Sequence, residues 1–154
     1  MNSAKEFHKK TWYGVMATVI IRPGFIHSAG WGVFLIPHPP VANWLLRRGL
    51  SEKNRETLTF IHEFMHLQSA PFVLLYTVLL FGLAFTKTHA GLAEIIFILI
   101  GSHAVWEIVS EILTINCDVQ SYRKFYVKVT FIPRIAFWFS TCVLAIAGWL
   151  VLLL

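Results

Sequence analysis

The sequence predicts an all-α integral membrane protein, with about three transmembrane helices and an N-terminal interfacial hairpin or re-entrant segment. Three observations carry this. The 154 residues are 56% hydrophobic, 15% aromatic and only 14% charged, with a mean hydropathy of +0.65, a membrane protein's balance. Three stretches, about Phe64 to Phe85, Leu92 to Ile115 and Ile132 to Leu154, each supply the roughly 20 residues that a bilayer core requires. A fourth apolar region, Trp12 to Pro37, is cut by Arg22-Pro23-Gly24 into halves too short to span singly. By length, residues 1–154 form a single membrane domain: an N-terminal interfacial region (1–50), a motif helix continuing into the first span (51–86), a second span (92–118) and a third (131–154).

The first eleven residues, MNSAKEFHKKT, are polar and basic and read as a surface helix or a loose tail. Between Tyr13 and Pro37 the chain is rich in β-branched, aromatic and glycine residues, and Pro23-Gly24 suits the centre of a type II turn. A hairpin lying on or dipping into the cytoplasmic face fits, and so does a re-entrant helical pair. A lone span fits less well, because Arg22 would lie near mid-membrane. No small-residue cleavage site follows a compact apolar core, so the region is not a signal peptide.

After His38-Pro39-Pro40, Ala42 to Leu50 reads as a short helix. Ser51 is an N-cap candidate, with Glu52 and Glu56 favourable near a positive helix end. A helix from Glu52 then runs through the first span. Pro71 lies inside it, where its ring clashes with the carbonyl of Leu67, which predicts a kink. Thr86 to Gly91 forms the outer turn. At the third span Thr130 can cap and Pro133 suits a first turn.

Lys5, Lys9, Lys10, Arg47, Arg48, Lys53, Arg55, Arg123, Lys124, Lys128 and Arg134 fall on one side of these spans, with Lys87 on the other and Arg22 unassigned. The positive-inside rule makes that side cytoplasmic and puts the N-terminus there, in a bacterial cytoplasmic membrane. The formal charge of +5 is then a topology signal and an attraction to anionic headgroups, and the lipid bilayer is the first partner. No nucleic-acid signature is present. Cys117 and Cys142 have no Cys-x-x-Cys spacing, which argues against a disulfide framework and a thiolate metal site.

The chemistry is concentrated in FIHEFMHLQSAPF, residues 60–72. Residues four apart share a helix face, so His62 and His66 can offer ring nitrogens to one ion while Glu63 points beside them at a bound water. A catalytic zinc takes three protein ligands and leaves a fourth position open. The second span holds His103, Glu107, Glu111, Thr114 and Asp118 on one helical stripe, and ionisable groups in a span usually face partners. If Phe85 and Gly91 mark the outer ends of antiparallel helices, Glu63 to His66 lie level with Ser110 to Leu113. Glu111 is then the third ligand, Glu107 one turn deeper is the alternative, and Asp118 orients a histidine from behind. His103, about two turns away, serves another purpose.

HEFMH at the start of a span, followed by SEILTINCDVQSYRK on an acidic helix, resembles the membrane zinc metallopeptidases of the gluzincin type. Among these are the membrane cores of the CAAX-processing and heat-shock membrane proteases and of the β-lactam-sensor proteins. The resemblance covers about sixty residues; it implies two histidines and a base from the first helix, and a glutamate from the second in a Glu-x-x-x-Asp pattern. His62, Glu63 and His66 match the first motif. Thr114 stands four before Asp118, and Glu107 and Glu111 form a Glu-x-x-x-Glu instead. The implied cofactor is Zn2+, the catalytic base Glu63, and the reaction hydrolysis of a peptide bond near the cytoplasmic face. The segment from Thr18 to Leu35 could hold an extended peptide by edge pairing.

Other readings compete. Glu107 and Glu111 can pair with Arg47, Arg55 or Arg123 as structural ion pairs. The chain can be a non-catalytic accessory subunit that stabilises neighbouring membrane-protein subunits in an energy-converting or pigment-binding complex. Glu63-x-x-His66 is also the ligand spacing of carboxylate-bridged di-iron oxidases, although two such pairs are expected there. Trp12, Trp31 and Trp44 suit an interfacial belt and Trp149 the opposite one. His27, His38 and His89 read as loop histidines, and Gly101 with Ser102 as a close helix contact.

Overall fold

A computed structural model describes residues 4–22, 27–38, 45–47, 49–86, 91–117 and 131–150. Three helices follow an N-terminal sheet: α1 (Glu52–Phe85), α2 (Leu92–Cys117) and α3 (Phe131–Leu150). All three are long and apolar enough to cross a membrane. Their large apolar side chains, among them Leu74, Leu75, Val78, Leu79, Ile100 and Phe139, are mostly exposed, an outward apolar surface that water would not tolerate on this scale.

The expectation of an all-α protein is corrected by the region ahead of α1. Strands β1 (Lys5–Lys10), β2 (Met16–Ile21), β3 (His27–Trp31) and β4 (Phe34–His38) form an antiparallel meander in that order. The hairpin reading therefore holds over the re-entrant pair, and β2, MATVII, has the β-branched content that suits a half-buried strand. The β3–β4 turn needs glycine twice. Gly32 has φ 58°, and a Cβ on Gly30 would lie 1.6 Å from the carbonyl oxygen of Phe34.

The first eleven residues are also corrected, because Lys5–Lys10 is a strand and not a helix or tail. Its alternate residues meet α1 at steps of one turn. Lys5 Nζ lies 2.6 Å from Glu56 Oε2, the Phe7 ring is 4.9 Å from that of Phe60, and Lys9 Nζ is 4.7 Å from the centre of Phe64. Two strand residues advance about 6.7 Å and four helical residues about 6 Å, so β1 tracks along the helix. Behind it, Ala17, Val19, Ile21 and Ala29 of the sheet pack on Phe64, Met65 and Leu67 of α1.

Helix α1 runs through Pro71 without interruption. Proline has no N–H for the carbonyl of Leu67, four residues earlier. The Tyr13 hydroxyl donates to that oxygen at 2.6 Å and itself accepts from Trp31 Nε1 at 2.8 Å. The neighbouring Gln68 is held from the same turn: its carbonyl accepts from Trp12 Nε1 at 2.8 Å, and its side chain from the Trp12 amide at 2.9 Å. Trp12 is largely exposed and stacks on Phe72. The β1–β2 turn thus reaches beyond the motif histidines along α1.

Ser51 precedes α1 but makes no side-chain cap, and Glu52 occupies the first turn. Of the expected short helix, Leu45 and Leu46 are helical, while 42–44 lie outside the described residues, as do Pro23-Gly24, Trp44, most of the outer turn, Asp118 and Thr130. Pro133 lies in the first turn of α3. Gly101 does mark a close contact: a Cβ there would stand 2.6 Å from Gly148 Cα on α3. Cys117 and Cys142 are free and exposed.

Candidate metal centre

The four-residue spacing puts His62 and His66 on the face of α1 that meets α2, and both rings are buried. Their Nε2 atoms lie 3.1 Å apart. Glu107 of α2 spans the pair, with Oε2 at 3.2 Å from His62 Nε2 and Oε1 at 3.4 Å from His66 Nε2. Tetrahedral coordination with roughly 2.0–2.1 Å metal–nitrogen bonds places donor atoms about 3.3–3.4 Å apart. The two nitrogens, and the carboxylate that turns one oxygen to each of them, are therefore separated by distances close to those between donors around one ion.

Glu111 lies behind His62. Its Oε2 accepts from an Arg47 terminal guanidinium nitrogen at 2.9 Å, and both side chains are fully buried. The same oxygen is 2.8 Å from His62 Nδ1, an ion-pair distance without the alignment of a hydrogen bond. The depth count expected Glu111 at the ligand position. The geometry instead brings Glu107 to the two Nε2 atoms and Glu111 to the opposite ring nitrogen. The helices are staggered by about a turn relative to that count, and Trp106 holds the stagger, donating from Nε1 to the His66 carbonyl at 2.8 Å and to Ser69 Oγ at 3.1 Å. The structural ion-pair reading applies to Glu111, through Arg47.

Glu63 is buried, and its Oε2 has no hydrogen-bond partner. Thr114, also buried, is occupied by a bond to the Ser110 carbonyl at 2.7 Å. Asp118 lies outside the described residues.

Two histidines are closer than the sequence suggested. His103 is not remote, for its Nε2 is 3.7 Å from Glu107 Oε1. His38 is no loop histidine but the buried last residue of β4. Its ring stacks on His66 at 5.0 Å and on His103 at 6.3 Å, and the ligating atoms of His38, His66 and Glu107 all lie within 4.8 Å of one another. Burial, with the His66 ring beside it, pushes His38 down to about 3, so the ring is neutral, the form that binds metals. His27, also in the sheet, is pushed to about 4 by burial, with Arg47 and Arg55 adding to the effect. Arg47 was one of three arginines expected to pair with the acids of the stripe, but no local pattern linked His38 to the motif; its only signal was Pro37-His38-Pro39, a histidine held between prolines at the end of an apolar strand.

Comparison of the chain with protein-family models, curated proteins and solved structures gave no match.

Proposed function

We propose that the protein is a membrane-embedded, zinc-dependent metallopeptidase-like hydrolase that cleaves a peptide bond near the cytoplasmic membrane face. The observation that carries this reading is the triangle of His62 Nε2, His66 Nε2 and the Glu107 carboxylate, at 3.1–3.4 Å. His62, His66 and Glu107 would hold the ion. Bound zinc would supply an acidified water and polarisation of the scissile carbonyl. Glu63, beside the histidines, takes the proton from the attacking water and delivers it to the leaving amine. Glu111, through His62 Nδ1, sets the orientation of that ring. Glu107-x-x-x-Glu111 then stands where the resembled families have Glu-x-x-x-Asp, with a longer acid at the orienting position. The three helices are long and apolar enough to seat this centre in a bilayer, and the basic residues of the N-terminal region support a cytoplasmic-side reading.

A second reading, a non-catalytic subunit of a larger membrane complex, draws support from the buried Arg47–Glu111 pair, which gives one acid of the stripe a structural partner. Metal analysis of the purified full chain separates the two. The hydrolase reading expects about one zinc per chain, lost in His62→Ala and Glu107→Ala. Glu63→Gln should retain the zinc and lose proteolysis. A metal-free wild type, or a Glu63→Gln variant as active as wild type, would defeat the hydrolase; two irons per chain would point to an oxidase.

A further inference from the structure

His62, His66 and Glu107 come from two helices locked together by Trp106. His38 comes from the sheet. It ends β4, which among the described residues pairs on one side only, with β3, and whose penultimate residue, Pro37, has no N–H to give a further strand. The ring is 4% exposed and its Nδ1 has no hydrogen-bond partner. An unsatisfied buried nitrogen of this kind costs about 1–3 kcal/mol unless something takes it up.

We propose that His38 is a displaceable fourth protein ligand. It would close the coordination sphere of an ion held by His62, His66 and Glu107, and leave it when substrate enters. The identity of the ion rests on the reading given under Proposed function. Its ligating atom lies within 4.8 Å of those of His66 and Glu107. A tetrahedral edge is about 3.3 Å, so a movement on the order of 1.5 Å, within the range of small side-chain torsion changes, brings it into bonding position. Four protein ligands make a closed site and three leave one position for water. Three donors are seated on the two packed helices and the fourth ends a strand, paired with His27 of β3, so a small shift of the end of β4 opens the site. The sheet is therefore a cap on the centre.

Packing alone offers the competing account, in which His38 does no more than stack on His66. His38→Phe tells them apart, since it keeps a stacked ring and removes the nitrogen; His38→Gln is a second variant of different shape. Zinc-edge X-ray absorption of the full wild-type chain loaded with Zn2+ should count three imidazoles, and His38→Phe two, with an oxygen in place of the third. Zinc affinity should fall about tenfold or more in both variants, and Co2+ loaded in place of zinc should change its visible spectrum. Two imidazoles in the wild type, with affinity and cobalt spectrum unchanged in both variants while His62→Ala abolishes binding, would overturn the fourth ligand and leave the zinc reading intact. Wild-type protein that binds neither Zn2+ nor Co2+ would overturn both. Should the variants not fold, the imidazole count of the wild type decides alone.

Discussion

Replacing Arg47 by methionine tests the electrostatic floor of the centre. The guanidinium lies 2.9 Å from Glu111 Oε2, at 1% and 0% residue exposure. Methionine fills much of the aliphatic volume but leaves the Glu111 carboxylate buried without the guanidinium, beside His62 Nδ1 at 2.8 Å. Breaking a buried pair from one side costs about 3–5 kcal/mol. At roughly 2–4 °C per kcal/mol for a chain of this size, the midpoint of thermal unfolding in detergent should drop by about 6–20 °C. Removing the charge as well, in Arg47→Met/Glu111→Gln, should restore a large part of the loss, because a buried pair replaced by neutral groups is often close to neutral. The four-variant cycle should give a coupling of about 2–3 kcal/mol, and it isolates the Glu111 share from every other contact of Arg47. Additivity of the two single changes to within about 0.5 kcal/mol would refute the pair as a source of stability.

Tyr13→Phe removes the donor to the Leu67 carbonyl and should cost about 1–3 kcal/mol by the same unfolding assay; in a Pro71→Ala background, where residue 71 regains an N–H, the cost should shrink by at least half. Gly101→Ala would put a Cβ 2.6 Å from Gly148 Cα, about 1 Å inside ordinary carbon contact, and should separate α2 from α3 at a cost of about 1–3 kcal/mol. With the other five tryptophans replaced by phenylalanine, the fluorescence of Trp12, exposed and stacked on Phe72, should be quenched by lipids brominated on the acyl chain more than by aqueous iodide. His27 titrates near 4 in the folded chain against an ordinary value of 6.5, so its contribution to stability is complete above pH 6.5. It is lost as the pH falls towards 4, by about 1.4 kcal/mol per unit and on the order of 3–3.5 kcal/mol in all. The difference between wild-type and His27→Gln stability curves should follow that window.

The sequence by itself determined what is local. Spans follow from runs of apolar residues, and the helices Glu52–Phe85, Leu92–Cys117 and Phe131–Leu150 enclose or nearly coincide with the stretches expected from hydropathy. The facing of His62 and His66 follows from helical spacing alone. Strand β1 was hidden because five of its six residues are polar, leaving Phe7 as its one apolar contact, and its alternation makes sense only beside the matching turn-by-turn series Glu56, Phe60 and Phe64.

Tertiary structure decided which acid meets which nitrogen. Glu107 and Glu111 lie one turn apart on the same face, so sequence spacing treats them alike; only the stagger of α2 on α1, held by Trp106, directs Glu107 to the two Nε2 atoms and Glu111 to Nδ1. Likewise Tyr13 with Leu67, Arg47 with Glu111 and His38 with His66 join segments 54, 64 and 28 residues apart. A periodic pattern records which way a side chain faces along its own element. The register between elements is set by packing, and at this centre one helical turn of register changes the role of each acid.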